Sequence, residues 1–170
     1  LQSVNVTYYG GIIHNGFHAL DMLQYIFANK LKLRKIYNYK KIKNSKIDDI
    51  NTFCSLYFSS INKTVNMNYV NDKHYQIFDI DILFEKYRVQ INNFGDQIII
   101  SKKYKNAINE NVLKIHMVLP KKTKTSMQVA VHGLKNYIEK GNISIVDQCS
   151  LEKISDSMQV IWEIKKRCSK

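Results

Sequence analysis

The sequence predicts an α+β domain: an open, mostly antiparallel β-sheet with helices packed on one face. Three observations carry this. Residues 1–28 read as a strand followed by a helix. Residues 51–101 read as successive short strands with alternating apolar and polar positions. The stretch from Ser126 onward reads as two amphipathic helices. The chain has 170 residues, 45% of them hydrophobic, with one Pro and six Gly, which suits one folded domain over 1–170 with its own core.

Val4 to Tyr9 alternates and is rich in β-formers, so it predicts a strand, broken by Gly10-Gly11. Ile12 to Ala28 predicts a helix, Leu31 to Tyr39 a strand, and Ile42 to Asp49 a polar loop. Asn51 to Ile61 predicts a strand with Phe53, Ser55 and Tyr57 on one side and Cys54, Leu56 and Phe58 on the other. Asn62-Lys63 turns the chain into Thr64 to Val70, and Asn71-Asp72 makes the next turn. Gln76 to Glu85 sets Phe78, Ile80, Ile82 and Phe84 against Asp79 and Asp81. Tyr87, Val89 and Ile91 continue the alternation, Gly95 turns the chain, and Gln97 to Ser101 returns. Short turns between successive strands predict an antiparallel meander with one polar face.

Lys102 to Asn111 is polar and reads as a mobile loop, and Val112 to Leu119 as one more strand. A helix over Ser126 to Glu139 is stopped by Gly141, a residue that caps helix C-termini. A second starts near Ser150, whose hydroxyl suits an N-cap, with Glu152 in the first turn where the dipole favours a carboxylate. It runs toward Lys166 with Ile154, Met158, Ile161 and Ile164 as its apolar stripe.

The net charge is +12, but the lysines are scattered, with the densest stretch from Lys30 to Lys46. Together with abundant Asn, Ile and Tyr, this reads first as compositional bias and a solvated surface. Attraction of a phosphorylated or nucleotide-linked substrate is the second reading. Nucleic-acid binding is the third, and no nucleic-acid partner is expected. Cys54, Cys149 and Cys168 are odd in number and lack CxxC spacing, which argues against a disulfide framework or a cysteine zinc site and suits a reducing cytoplasm. No stretch is long and apolar enough to cross a bilayer, so no membrane partner is expected. The start Leu1-Gln2-Ser3-Val4 lacks Met and a signal core and reads as the edge of an excised fragment. P-loop, GxGxxG and serine-elbow motifs are absent, so the main binding site of any nucleotide cofactor is expected elsewhere.

The segment Gly10 to Leu23 carries the chemistry. On a helix, His14, His18, Asp21 and Tyr25 fall on one narrow polar stripe, while Ile13, Phe17, Leu20, Leu23, Ile26 and Phe27 cover much of the rest. That predicts a largely buried helix whose imidazoles and carboxylate must face a polar cleft or satisfy one another. Three readings stay open: a self-satisfied stripe with Asp21 accepting from His18, a metal site on the two histidines, and a catalytic or substrate-binding stripe. The zinc-protease pattern needs Glu after the first His, and position 15 is Asn, so no metal is expected. Histidine titrates near neutral pH and can take the proton of a hydroxyl that becomes a carbonyl. Tyr8 and Tyr9 end the strand before the glycine pair, so one of them is a candidate to face a cleft.

Gly10-Gly11, a few apolar residues, a polar residue at His14 and then His18-x-x-Asp21 resemble the signature of the Gfo/Idh/MocA oxidoreductases, which include glucose–fructose oxidoreductases and inositol dehydrogenases. The resemblance extends weakly to Phe78–Ile91, to Leu134–Gly141 and to Ser150–Ser169. It implies the C-terminal domain of such an enzyme, of the dihydrodipicolinate-reductase-like type, in which this helix contributes to the active site. It also implies an N-terminal Rossmann half, absent from this sequence, that holds NAD or NADP and the catalytic lysine. By that resemblance His18 contacts the substrate hydroxyl and assists proton transfer, and Asp21 positions it. His14 stands where many members carry Asp, which departs from the usual acid/base arrangement. Phe84-Glu85-Lys86-Tyr87 departs from a Gly-x-x-Gly turn.

The expectation is therefore the substrate-binding domain of an NAD(P)-dependent oxidoreductase acting on a sugar, nucleotide-sugar or polyol hydroxyl. His14 and His18 are the candidate catalytic residues, and His14, Asn15, His18 and Asp21 the candidate substrate-binding set. No cofactor is expected on this stretch alone, which is expected to be inactive. A homo-oligomer, dimer or tetramer, is expected through the open sheet from Asn51 to Ser101. The alternative is a non-catalytic assembly or ligand-sensing module of the same fold.

Overall fold

The computed structural model describes residues 1–28, 30–42, 49, 51–71, 73, 75–119, 126–141 and 151–168. Eight strands form one sheet: β1 (Ser3–Tyr8), β2 (Leu33–Ile42), β3 (Asn51–Phe58), β4 (Lys63–Tyr69), β5 (Phe78–Leu83), β6 (Tyr87–Asn92), β7 (Gln97–Lys105) and β8 (Asn111–Leu119). Three α-helices accompany them: α1 (Phe17–Phe27), α2 (Ser126–Lys140) and α3 (Leu151–Cys168). The predicted α+β class and the open, mostly antiparallel sheet are both present.

The strand order is β2-β3-β4-β1-β5-β6-β7-β8. This corrects the expected meander. β4 and β5 do not pair; β1 lies between them, parallel to β4 and antiparallel to β5. Burial explains the choice. Val4, Val6 and Tyr8 are all buried, so this strand needs a neighbour on each side and cover on its apolar face. The remaining pairs are antiparallel.

Alternation decides the faces as predicted. Cys54, Leu56 and Phe58 of β3, Val65 and Met67 of β4, and Phe78, Ile80 and Ile82 of β5 turn inward. Ala19, Leu20 and Leu23 of α1 and Val160, Ile161 and Ile164 of α3 close the same core, so these two helices cover one face. Full burial of a side chain such as Leu20 or Ile161 contributes about 2–3 kcal/mol.

The polar stretch 102–111 is not a loop throughout. β7 runs on to Lys105 and pairs with β8 down to Lys105↔Asn111. The turn is held by Asn106, whose side-chain oxygen accepts from the backbone N–H groups of Ile108 (3.1 Å) and Glu110 (2.8 Å). Ladder hydrogen bonds accept polar side chains readily where both faces are solvated, as they are here. The expected loop over 42–49 lies outside the described residues except for Ile42 and Asp49, as do Asp72 and the expected cap at Ser150.

Candidate functional site

β1 delivers the chain to the glycine pair. The Tyr8 side chain stays in the core and donates its phenol hydrogen to the carbonyl of Thr52 at 2.8 Å. Burial pushes that phenol well above the usual tyrosine range; Cys54 acts the same way, and the bond to Thr52 opposes them in part. Tyr9, half-buried, points elsewhere, so of the two tyrosines it is the one near the surface.

Gly10 and Gly11 both have left-handed φ, 69° and 90°. Each is closed upon by a side chain. A Cβ at Gly10 would lie 2.7 Å from Asn15 Nδ2, and one at Gly11 would lie 2.2 Å from Asp49 Oδ2. Asn15 Nδ2 donates to the carbonyl of Tyr9 at 2.8 Å. The Asp49 carboxylate, only 9% exposed, accepts from the N–H of Ile13 through Oδ1 and of His14 through Oδ2, each at 2.9 Å. The first N–H groups of a helix lack helical partners and carry partial positive charge, so Asp49 caps this helix from far along the chain.

The first turn, Ile12–Gly16, is π-helical: the N–H groups of Asn15 (3.0 Å) and Gly16 (3.2 Å) both reach the carbonyl of Gly11. Such wide turns recur at functional sites. α1 follows directly. It is half-buried rather than largely buried: Ala19, Leu20 and Leu23 are buried, and Phe17, Met22 and Phe27 pack against the core only in part. His14, His18 and Tyr25 are exposed. The His18 ring meets the Phe17 ring edge-on at 5.3 Å.

Asp21 does not accept from His18 among the bonds described; it turns to α3. Ser157 Oγ, fully buried, donates to Asp21 Oδ1 at 3.2 Å and accepts from Gln24 Nε2. Gln24 Oε1 in turn accepts from the N–H of Leu31 at 3.0 Å. His14, in the first turn, and His18, four residues on in α1, are both exposed. Asn15 and Asp21 sit beside them but bind their own chain.

A second strained junction lies next to Tyr9. Asn93, Phe94 and Gly95 carry successive φ values of 50°, 59° and 84°. Left-handed backbone costs a residue with a Cβ about 1–2 kcal/mol. Two contacts hold it: Asp79 Oδ1 accepts from the N–H of Asn93 at 2.8 Å, and the Phe94 ring stacks on Phe78 with centroids 5.2 Å apart and planes 10° apart. Tyr9 stands at 84° to Phe94, 5.8 Å away.

Sequence reasoning missed Asp49 and Phe94. Nothing local flags a cap some 35 positions downstream of the turn it closes, and only the glycine pair hinted that something packs there. A left-handed Phe leaves no compositional mark.

Among the described residues, no group of three His, Cys, Asp or Glu side chains converges as a metal site. At the glycine-rich strand-to-helix junction, where a phosphate would seek N–H groups, the Asp49 carboxylate already holds those of Ile13 and His14.

The sheet face opposite the helices is polar. Ser55, Asn66, Asn5, Asp81 and Gln90 lie in one row across five strands. Ser55 Oγ donates to Asn66 Oδ1 (2.8 Å), Asn66 Nδ2 donates to Asn5 Oδ1 (2.9 Å), and Arg88 binds both oxygens of Asp81 (3.0 and 2.8 Å).

No family model and no curated protein matches the chain. Solved structures do. A dehydrogenase (MviM) from Clostridium difficile matches at 12% identity with a TM-score of 0.59, over 98% of this chain and 54% of that one. The UDP-N-acetylglucosamine 3-dehydrogenase GnnA from Acidithiobacillus ferrooxidans matches at 7% identity and TM-score 0.58, over 93% and 53%. The transcriptional regulator Gal80p from Kluyveromyces lactis matches at 15% and 0.57, over 81% and 42%. The chain thus spans about half the length of the solved chains it matches. At these identities the likeness concerns the fold alone: the chain shares with part of each of these proteins an α+β fold built on an open, mostly antiparallel sheet.

Proposed function

We propose that this chain is the substrate-binding half of an NAD(P)-dependent oxidoreductase that acts on a hydroxyl of a sugar, nucleotide-sugar or polyol. One observation carries the reading: His14 and His18, four residues apart, are both exposed on a helix whose start is fixed by Asp49 and Asn15. Fixed backbone under open imidazoles suits a site that must orient a substrate. His18 accepts the hydroxyl proton as the carbon is oxidised, and His14 hydrogen-bonds a neighbouring hydroxyl. The nicotinamide is held by a Rossmann half outside this chain. The exposed apolar residues Leu113, Ile115 and Met117 of β8 and Leu134 and Ile138 of α2, with the polar sheet face, support assembly into a homo-oligomer.

The test joins this chain to its upstream nucleotide-binding half and replaces His18 with Ala. Turnover of a sugar or polyol is expected to fall about 100-fold or more, the range for a lost general base; unchanged turnover overturns the reading. The second reading, a non-catalytic sensing module, is favoured by His14 in place of the Asp of many family members and by a regulator among the matched structures. It predicts sugar binding without nicotinamide reduction in the joined protein.

A further inference from the structure

We propose that Phe94, walled by Tyr9, is a stacking platform for the C–H face of a six-membered sugar ring; this rests on the sugar-binding reading above and narrows it to cyclic substrates. Phe94 is 47% exposed although its ring is stacked on Phe78, which is itself buried. A side chain needed only to close the end of the core could be offered from relaxed backbone. Here a bulky residue sits at φ 59°, between Asn93 at 50° and Gly95 at 84°, and Asp79 anchors the turn by the Asn93 N–H. Backbone held away from its preferred region around an open side chain marks a presented group. The backing by Phe78 fixes the ring plane.

Tyr9 ties this corner to the histidine helix. Its ring meets Phe94 at 5.8 Å, its carbonyl receives Asn15 Nδ2, and Gly10 follows it directly. The aromatic corner and the first turn bearing His14 therefore share one anchored junction. A pyranose has an apolar C–H face and a rim of hydroxyls. Its face suits the flat ring, and its rim suits imidazoles. An acyclic polyol offers the same hydroxyls without a face.

The test is an NMR titration of the ¹³C-labelled chain with methyl β-D-glucopyranoside, and with sorbitol as the acyclic control. The pyranoside is expected to move the Phe94 ring signals and the His14 and His18 ring signals, with sorbitol about tenfold weaker. Phe94→Leu keeps bulk and loses the π face; Phe94→Gly also relieves the left-handed backbone. Both are expected to weaken pyranoside binding about tenfold, and Phe94→Gly to keep Tm within about 3 °C of the parent. Unchanged affinity in Phe94→Leu overturns the platform, as does movement of the histidine signals without those of Phe94, which leaves the sugar-site reading standing. Movement of Phe94 without the histidines supports the platform and removes the catalytic reading. Movement of neither removes both.

Discussion

The carboxylate of Asp49 occupies the space that a side chain at Gly11 would need. A Cβ there would fall 2.2 Å from Oδ2 and 2.4 Å from the carboxyl carbon. The backbone of Gly11, at φ 90° and ψ 161°, is also in a region open almost solely to glycine. Gly11→Ala must therefore break the cap and strain the turn together. A loss on the order of 3 kcal/mol is expected in urea unfolding.

Asp49→Asn separates charge from shape. One amide oxygen can still accept, but the charge at the helix start is gone and one N–H loses its partner. The expected cost is about 1 kcal/mol, against about 2 kcal/mol for Asp49→Ala. Amide hydrogen exchange reads the change locally: Ile13 and His14 are expected to exchange faster in both variants, with Leu20 and Leu23 unaffected in Asp49→Asn.

Ser157 joins α1 to α3 through one hydroxyl that serves both Asp21 and Gln24. Ser157→Ala leaves two partly buried polar groups short of a partner. A loss of about 2 kcal/mol is expected, seen in calorimetry as a fall in Tm of roughly 4–8 °C for a chain of this size. His18→Ala, at an exposed position, is expected to stay within about 0.5 kcal/mol of the parent.

Tyr8 makes stability fall at high pH. Its phenol ionises near pH 10 when unfolded and only at higher pH when buried in the fold. Above pH 10 the native state holds a proton that the unfolded state has lost, so the contribution is full below pH 10 and declines as pH rises beyond it, by about 1.4 kcal/mol per unit. Tyr8→Phe is expected to flatten that decline by one proton's worth in unfolding curves recorded from pH 9 to 11. At pH 7 the same variant loses the bond to Thr52, about 1 kcal/mol.

Local pattern made most of this fold legible. The two-residue alternation of Phe78-Asp79-Ile80-Asp81-Ile82 predicts both the strand and its buried side, and the structure agrees. Gly141, at φ 63°, follows the last turn of α2 as expected of a C-terminal cap. The sheet order was not legible, because alternation states which residues face inward but not which strand lies alongside. Nothing in Val4-Asn5-Val6 says that β4 and β5 will part to admit it. The site divides in the same way. The helix bearing His14 and His18 follows from spacing, whereas Asp49 and the partnership of Asp21 with Ser157 are long-range contacts between segments that carry no mark of each other.

The central place of β1 has a consequence for how the chain folds. Ser3–Tyr8 has no strand beside it until Lys63–Tyr69 and Phe78–Leu83 are available. Made before either of its neighbours, the strand thus waits, apolar and unpaired, for partners that follow much later in the chain. Closing so long a loop carries an entropic cost before any ladder bond repays it. Folding rate should accordingly be limited by the docking of β1, and a chain stopped short of Leu83 should expose Val4, Val6 and Tyr8 to aggregation.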